Sequence, residues 1–187
     1  MDNFAKAGGA SIACAVLCPV AVLGTMLGIF SWYTFGNPDG VECWAGAGDT
    51  ISPVQDELHT SNVTSKFHTY FLINFISYVY FITNMLVAVI AMCSMNPALF
   101  KLAQFVGYGS AVNGCLQFAM LIVGPIFRWN HEGKVCSGAY LEEGAPTEGY
   151  LISSGNFINV WSIIQLSLIG CACCLGCLRV ILAVALK

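Results

Sequence analysis

Four apolar stretches that contain no Asp, Glu, Lys or Arg constrain this chain more than any other feature. They run over residues 8–35, 67–95, 102–127 and 150–178. A bilayer core takes about 20 apolar residues as a helix, and each stretch is long enough. Only 9% of the residues are charged, against about 25% in an average soluble domain. The chain has 187 residues, so four spans and their connections use nearly all of it and leave no second domain. The expected fold is an all-α membrane protein, a four-helix transmembrane bundle with two outer loops, about 36–66 and 128–149, joined by a disulfide.

Charge sorts by segment. The two ends and the Asn96-Pro97 turn carry Lys6, Lys101, Arg179 and Lys187 against Asp2 alone. The two longer loops carry nine acidic residues against Lys66, Arg128 and Lys134. Basic residues beside spans favour the cytoplasmic side. Both termini are therefore expected in the cytoplasm and both longer loops outside or in a lumen, in the plasma membrane or the secretory and vesicle system.

Cysteine use points the same way. Of ten cysteines, only Cys43 and Cys136 fall in the outer loops, one in each. Disulfides persist in oxidising compartments, so these two are expected to pair. Asn62-Val63-Thr64 is the single glycosylation sequon. The run Cys171, Cys173, Cys174 and Cys177 precedes Arg179. It admits three readings: small packing residues, S-palmitoylation sites, or a zinc pair at Cys174 and Cys177.

Spans in lipid associate through close packing of small residues and through interhelical hydrogen bonds. Gly24 and Gly28 form a GxxxG step, and Gly107 with Ala111 and Ser110 with Gly114 repeat the spacing. Each pair suits either a face between protomers or packing inside one bundle. Uncharged polar residues recur at helical steps: Asn74, Ser77 and Asn84; Ser110, Asn113 and Gln117; Asn156, Asn159, Ser162 and Gln165. An amide facing lipid is costly, so these stripes are expected to face protein. The second loop, from Arg128 to Gly138, is expected to form a small ordered hairpin pinned by Cys136.

Several function classes lose support. No phosphate-binding loop, dinucleotide fingerprint, nucleophile elbow or HExxH occurs. No ionisable carboxylate or basic residue lies within a span. No basic patch suits nucleic acid. His59, His68 and His131 all fall on the outer side without a metal-ligand spacing. Neither a cofactor nor a metal is expected, and no residue is selected as catalytic.

The layout of four spans, cytoplasmic ends, a short inner turn and two outer loops resembles the tetraspan families of the MARVEL and claudin-like type. The resemblance covers the whole chain at the level of topology. It implies a non-enzymatic protein that assembles laterally, with copies of itself or other membrane proteins, and organises or shapes the bilayer. Claudins place two cysteines and a Trp-Gly-Leu-Trp stretch in the first outer loop, whereas this chain has Cys43 beside Trp44. No functional residue is carried over. The alternative is a channel-forming or accessory subunit, with the polar stripes lining a path. A membrane enzyme using an outer-loop histidine stands third.

Overall fold

The computed structural model describes residues 20–94 and 96–185, with only the backbone given for 172, 173 and 175–185. The chain is mostly helical. A helix over Val20–Phe35 (α1) is followed by three two-residue strands, Trp44–Ala45 (β1), Ile51–Ser52 (β2) and Ser61–Asn62 (β3). Then come Val63–Ser94 (α2), Pro97–Trp129 (α3), the short His131–Cys136 (α4) and Ile152–Ala185 (α5). Helices α2, α3 and α5 are long and apolar enough to cross a membrane, so the protein is an integral membrane protein. At 1.5 Å per residue the 32 residues of α2 reach about 48 Å, more than the hydrocarbon core of about 30 Å. The first expected span lies partly outside the described residues, and its described part is α1.

Local chemistry sets most helix starts. A helix leaves its first four N–H groups without intrahelical partners. At α2, Asn62 Oδ1 accepts from the Ser65 amide at 2.7 Å. At α3, Asn96 Oδ1 accepts from the Ala98 amide at 2.9 Å, and Pro97 fills the first helical position, where a missing N–H costs nothing. At α4, Asn130 Oδ1 accepts from the Gly133 amide at 2.7 Å.

The chain divides into two compact units. One comprises Met1–Asn37 and His68–Phe118. Its described core is aromatic: Phe30 of α1 lies against Tyr70, Phe71 and Tyr78 of α2, with ring centroids 5.3–6.4 Å apart. Tyr33 stacks on Phe71 at 4.9 Å and Phe35 meets Phe75 edge-on at 5.2 Å. Such pairs contribute about 0.5–1.5 kcal/mol beyond area burial.

The other unit comprises Pro38–Phe67 and Ala119–Lys187. Its sheet has the order β2-β1-β3, all antiparallel, with Trp44 opposite Ser52 and Asn62, and Ala45 opposite Ile51 and Ser61. The Cys43–Cys136 disulfide forms, with the Cα atoms 5.9 Å apart and both residues fully buried. Ala45, Val63, Phe67, Val135, Leu151 and Ile158 are further buried apolar side chains of this unit.

The second loop is a helix and not a hairpin. Asn130 starts α4, and Gly138, with φ of +74°, stops it. The Gly138 amide donates to Val135 O and the Ala139 amide to Lys134 O, the paired bonds of a Schellman stop. A cap residue and a left-handed glycine eight positions apart outweigh the hairpin reading.

Candidate functional site

Two places carry the polar chemistry: the α2–α3 contact of the first unit and the disulfide-bearing unit.

Along α2 and α3 the expected stripes meet each other. Ser77 Oγ donates to Asn113 Oδ1, and Asn84 Nδ2 donates to Ser110 Oγ at 2.8 Å. Tyr80, between Ser77 and Asn84 on α2, donates to the Val106 carbonyl of α3. The tyrosine reaches that carbonyl across Gly109, where an added Cβ would overlap the Tyr80 hydroxyl. Asn74 is buried and donates to the Tyr70 carbonyl one turn back, at 2.8 Å. Gln117 is half-buried. In the other unit Asn159 Oδ1 accepts from Trp129 Nε1 at 2.8 Å, Gln165 is half-buried and Asn156 is exposed. The structure therefore joins Ser77, Asn84, Ser110 and Asn113 into one ladder, with bonds of the kind that average about 0.6 kcal/mol in membranes.

The glycines separate into two kinds. Gly109 sits under Tyr80, and Gly155 under Ser137 and Arg128. By contrast a Cβ added at Gly24, Gly28, Gly107 or Gly114 would meet no atom within 4 Å. Ala111 is exposed beside the last two. Gly107, Ala111 and Gly114 recur at steps of four and three and share one face of α3. Exposed Phe118 continues that face, and exposed Phe105, Tyr108 and Val112 flank it.

In the disulfide-bearing unit, each cysteine is tied to the start of a long helix. The Cys43 amide donates to Thr64 Oγ1 at 2.8 Å, and the Cys43 carbonyl accepts from the Val63 amide at 3.0 Å. The Cys136 carbonyl accepts from the Leu151 amide at 2.7 Å. Asp39 then caps α5 from the far side of the chain. Its carboxylate accepts from the Ser153 amide at 2.8 Å, the Ser154 amide at 3.1 Å and the Ser154 hydroxyl at 2.5 Å.

A second long-range tie joins the two loops. Lys66 Nζ and Ser61 Oγ both donate to Glu132 Oε2, at 2.6 and 2.5 Å, and Lys66 also donates to Ser61. Burial pushes the Glu132 carboxyl up, but its bonds from Lys66 and Ser61, with the charges of Lys66 and His131, hold it below the usual carboxylate range.

The histidines are engaged as well. His59 stands between Thr50 Oγ1, 3.0 Å from Nε2, and Asp56, 2.9 Å from Nδ1. That order is the order of a hydrolytic relay. Such a relay works in a water-excluded site with donors aimed at a developing oxyanion, and here Thr50 and Asp56 lie open to solvent. Asp56 Oδ1 also accepts from the Leu58 and His59 amides of its own turn, at 2.8 and 2.7 Å. The His59 side-chain and backbone bonds lower the Asp56 pKa. The trio clasps the segment between β2 and β3. His131 Nε2 contacts the Gly48 carbonyl at 3.1 Å and lies 3.6 Å from Asp49. Among the described residues no three His, Cys, Asp or Glu side chains converge as metal ligands would.

Asn62 uses its Oδ1 to cap α2 and stands where the strand becomes helix. Cys171 and Cys174 are exposed on α5. The side chains of Cys173 and Cys177 lie outside the described residues.

Asp39, Glu132, Lys66 and Arg128 went unselected in the sequence, because their roles rest on partners 27 to 115 residues away. Asn130 and Gly138 did carry a local signal for α4. No protein-family model, no curated protein and no solved structure matches this chain.

Proposed function

We propose that this protein is a non-enzymatic, four-span membrane protein that assembles laterally with copies of itself and organises the bilayer around it. In this reading its ends lie in the cytoplasm, its disulfide-bearing unit lies outside or in a lumen, and its descent is of the tetraspan kind. The observation that carries the reading is the open set of small residues. Gly24 and Gly28 on α1, and Gly107, Ala111 and Gly114 on α3, have the spacing that lets helix backbones approach closely. No described atom of the same chain uses the four glycines for that purpose. The glycines that do serve internal packing, Gly109 and Gly155, show what an occupied small-residue position looks like in this fold.

The polar stripes support assembly over conduction. Ser77, Asn84, Ser110 and Asn113 direct their bonds at one another across α2 and α3. Asn113 is buried where it accepts from Ser77, and Asn74 is buried and bonded within its own helix. The palmitoylation reading for Cys171 and Cys174 fits the same role, since acyl chains on exposed helix cysteines add lipid-facing surface.

The test is substitution of the two faces. Gly24→Leu with Gly28→Leu, and Gly107→Leu with Gly114→Leu, place their Cβ atoms in open space, so the described monomer is expected to tolerate them. Cross-linking in lipid is expected to show oligomers in the parent and monomers in at least one of these variants, with membrane insertion unchanged in all. Oligomers of unchanged size in both variants refute these faces as contacts.

A further inference from the structure

Among the described residues Arg128 is the one charged side chain that is buried. It stands in the last turn of α3, is only 9% exposed, and donates through Nε to the Gly155 carbonyl at 3.0 Å. An arginine has five N–H donors in a planar fork. Among the described residues its Nη1 and Nη2 groups meet no hydrogen-bond acceptor and no carboxylate within ion-pair distance.

The lack of a partner is not a lack of acids. Glu132 is taken by Lys66, Asp39 by the start of α5, Asp56 by His59, and Asp49 stands by His131. Glu42, Glu57, Glu142, Glu143 and Glu148 are exposed to solvent and pair with nothing among the described residues. The guanidinium is nevertheless held in a built seat. Gly155 has no side chain, and a Cβ there would overlap Ser137 and stand 3.4 Å from Arg128 Nε. The fold thus brings Arg128 and Ser137 against the bare backbone of α5, within one turn of the Asp39 cap.

The Nη groups are not among the fully enclosed unpartnered polar atoms, so the fork keeps an opening to its surroundings through which an anion can meet it. An anion that meets this fork has to come from outside the described residues, and the position of Arg128 indicates its class. Arg128 closes a membrane-spanning helix. Its neighbour Trp129 is partly exposed, with its indole N–H bonded to Asn159, at the level where tryptophan marks the border of water and lipid. The anion abundant at that level is a phosphodiester, and the guanidinium fork matches two phosphate oxygens at once.

We propose that Arg128, seated against Gly155 and Ser137, is a binding site for the phosphate of a phospholipid headgroup at the end of α3. The bound phosphate supplies a counter-charge to Arg128 and fixes one lipid molecule to each protomer.

The chain has two arginines, Arg128 and Arg179, so the site can be read directly. In Arg179→Lys protein grown with carbon-13 arginine, Arg128 supplies the only labelled guanidinium. Solid-state carbon–phosphorus dipolar recoupling is then recorded in three bilayers: phosphatidylcholine without phosphate buffer, phosphorus-free galactolipid, and galactolipid with inorganic phosphate. The expected result is strong dephasing of the Arg128 Cζ signal in phosphatidylcholine and little in either galactolipid sample. An undephased signal in phosphatidylcholine overturns the site. Equal dephasing by inorganic phosphate overturns the lipid assignment.

A variant adds an independent reading by native mass spectrometry with phosphatidylcholine and diacylglycerol offered together. The parent is expected to retain phosphatidylcholine at least tenfold over diacylglycerol, and Arg128→Gln to lose that preference. A preference unchanged in Arg128→Gln contradicts the proposal. Should Arg128→Gln fail to fold, the parent's lipid preference and the recoupling measurement decide alone.

Discussion

Replacing Asp39 by Ala tests how the disulfide-bearing unit holds the start of α5. The carboxylate accepts three hydrogen bonds there, from two backbone amides and one hydroxyl. Loss of a capping side chain costs about 0.5–2 kcal/mol. Loss of a negative charge at a helix N-terminus adds about 0.3–1 kcal/mol. The expected destabilisation is therefore about 1–3 kcal/mol. Asp39→Asn keeps one acceptor oxygen but no charge, and should fall between the parent and Asp39→Ala. Three tryptophans, Trp44, Trp129 and Trp161, lie in this unit, so fluorescence during urea unfolding in micelles reports on it. Hydrogen exchange at the Ser153 and Ser154 amides gives the local reading, with both expected to exchange faster in Asp39→Ala. A change under about 0.5 kcal/mol, the range of a neutral surface substitution, with exchange at both amides unchanged, would refute the reasoning.

The Glu132–Lys66 tie gives a pH dependence. The Glu132 carboxyl is held below its usual range when folded, so its contribution is full above the unfolded value and is lost as pH falls through the folded one. Stability of this unit is expected to drop on acidification through and below the carboxylate range, and Glu132→Gln should flatten the drop in urea midpoints measured against pH. Gly109→Ala pushes a methyl group into the Tyr80 hydroxyl and should destabilise the α2–α3 contact by about 1–3 kcal/mol. Gly107→Ala meets open space and should leave monomer stability within about 0.5 kcal/mol, both glycine variants being compared with the parent by thermal melts in micelles. Removing the disulfide as Cys43→Ser with Cys136→Ser opens a loop of 93 residues in sequence separation, worth up to about 4–5 kcal/mol in the entropic account. Spans that stay inserted already restrain that loop, so the measured loss should fall below this ceiling, and limited proteolysis should cut within residues 38–62 faster.

What was legible in the sequence was local or periodic. The apolar runs gave α2, α3 and α5, and elimination among ten cysteines gave the Cys43–Cys136 pair. Steps of three and four residues picked out Asn74, Ser77, Asn84, Ser110 and Asn113, and Ser77–Asn113 and Asn84–Ser110 do face each other. The Asn130 cap and Gly138 stop were also local, yet the mixed charges of that loop read as a hairpin. The remainder was set by tertiary contact. Nothing near Asp39 in sequence shows that it caps a helix beginning at residue 152. Lys66 and Glu132 meet because the disulfide and the sheet bring two loops together. Two-residue strands are too short to carry an alternating pattern.

The most direct test of lateral assembly is electron microscopy of the purified full-length protein reconstituted in phospholipid bilayers. Ordered arrays or multi-copy assemblies with close contacts along the Gly24–Gly28 or Gly107–Gly114 faces are the predicted result. Isolated single-copy particles at high protein density in the bilayer would contradict the account.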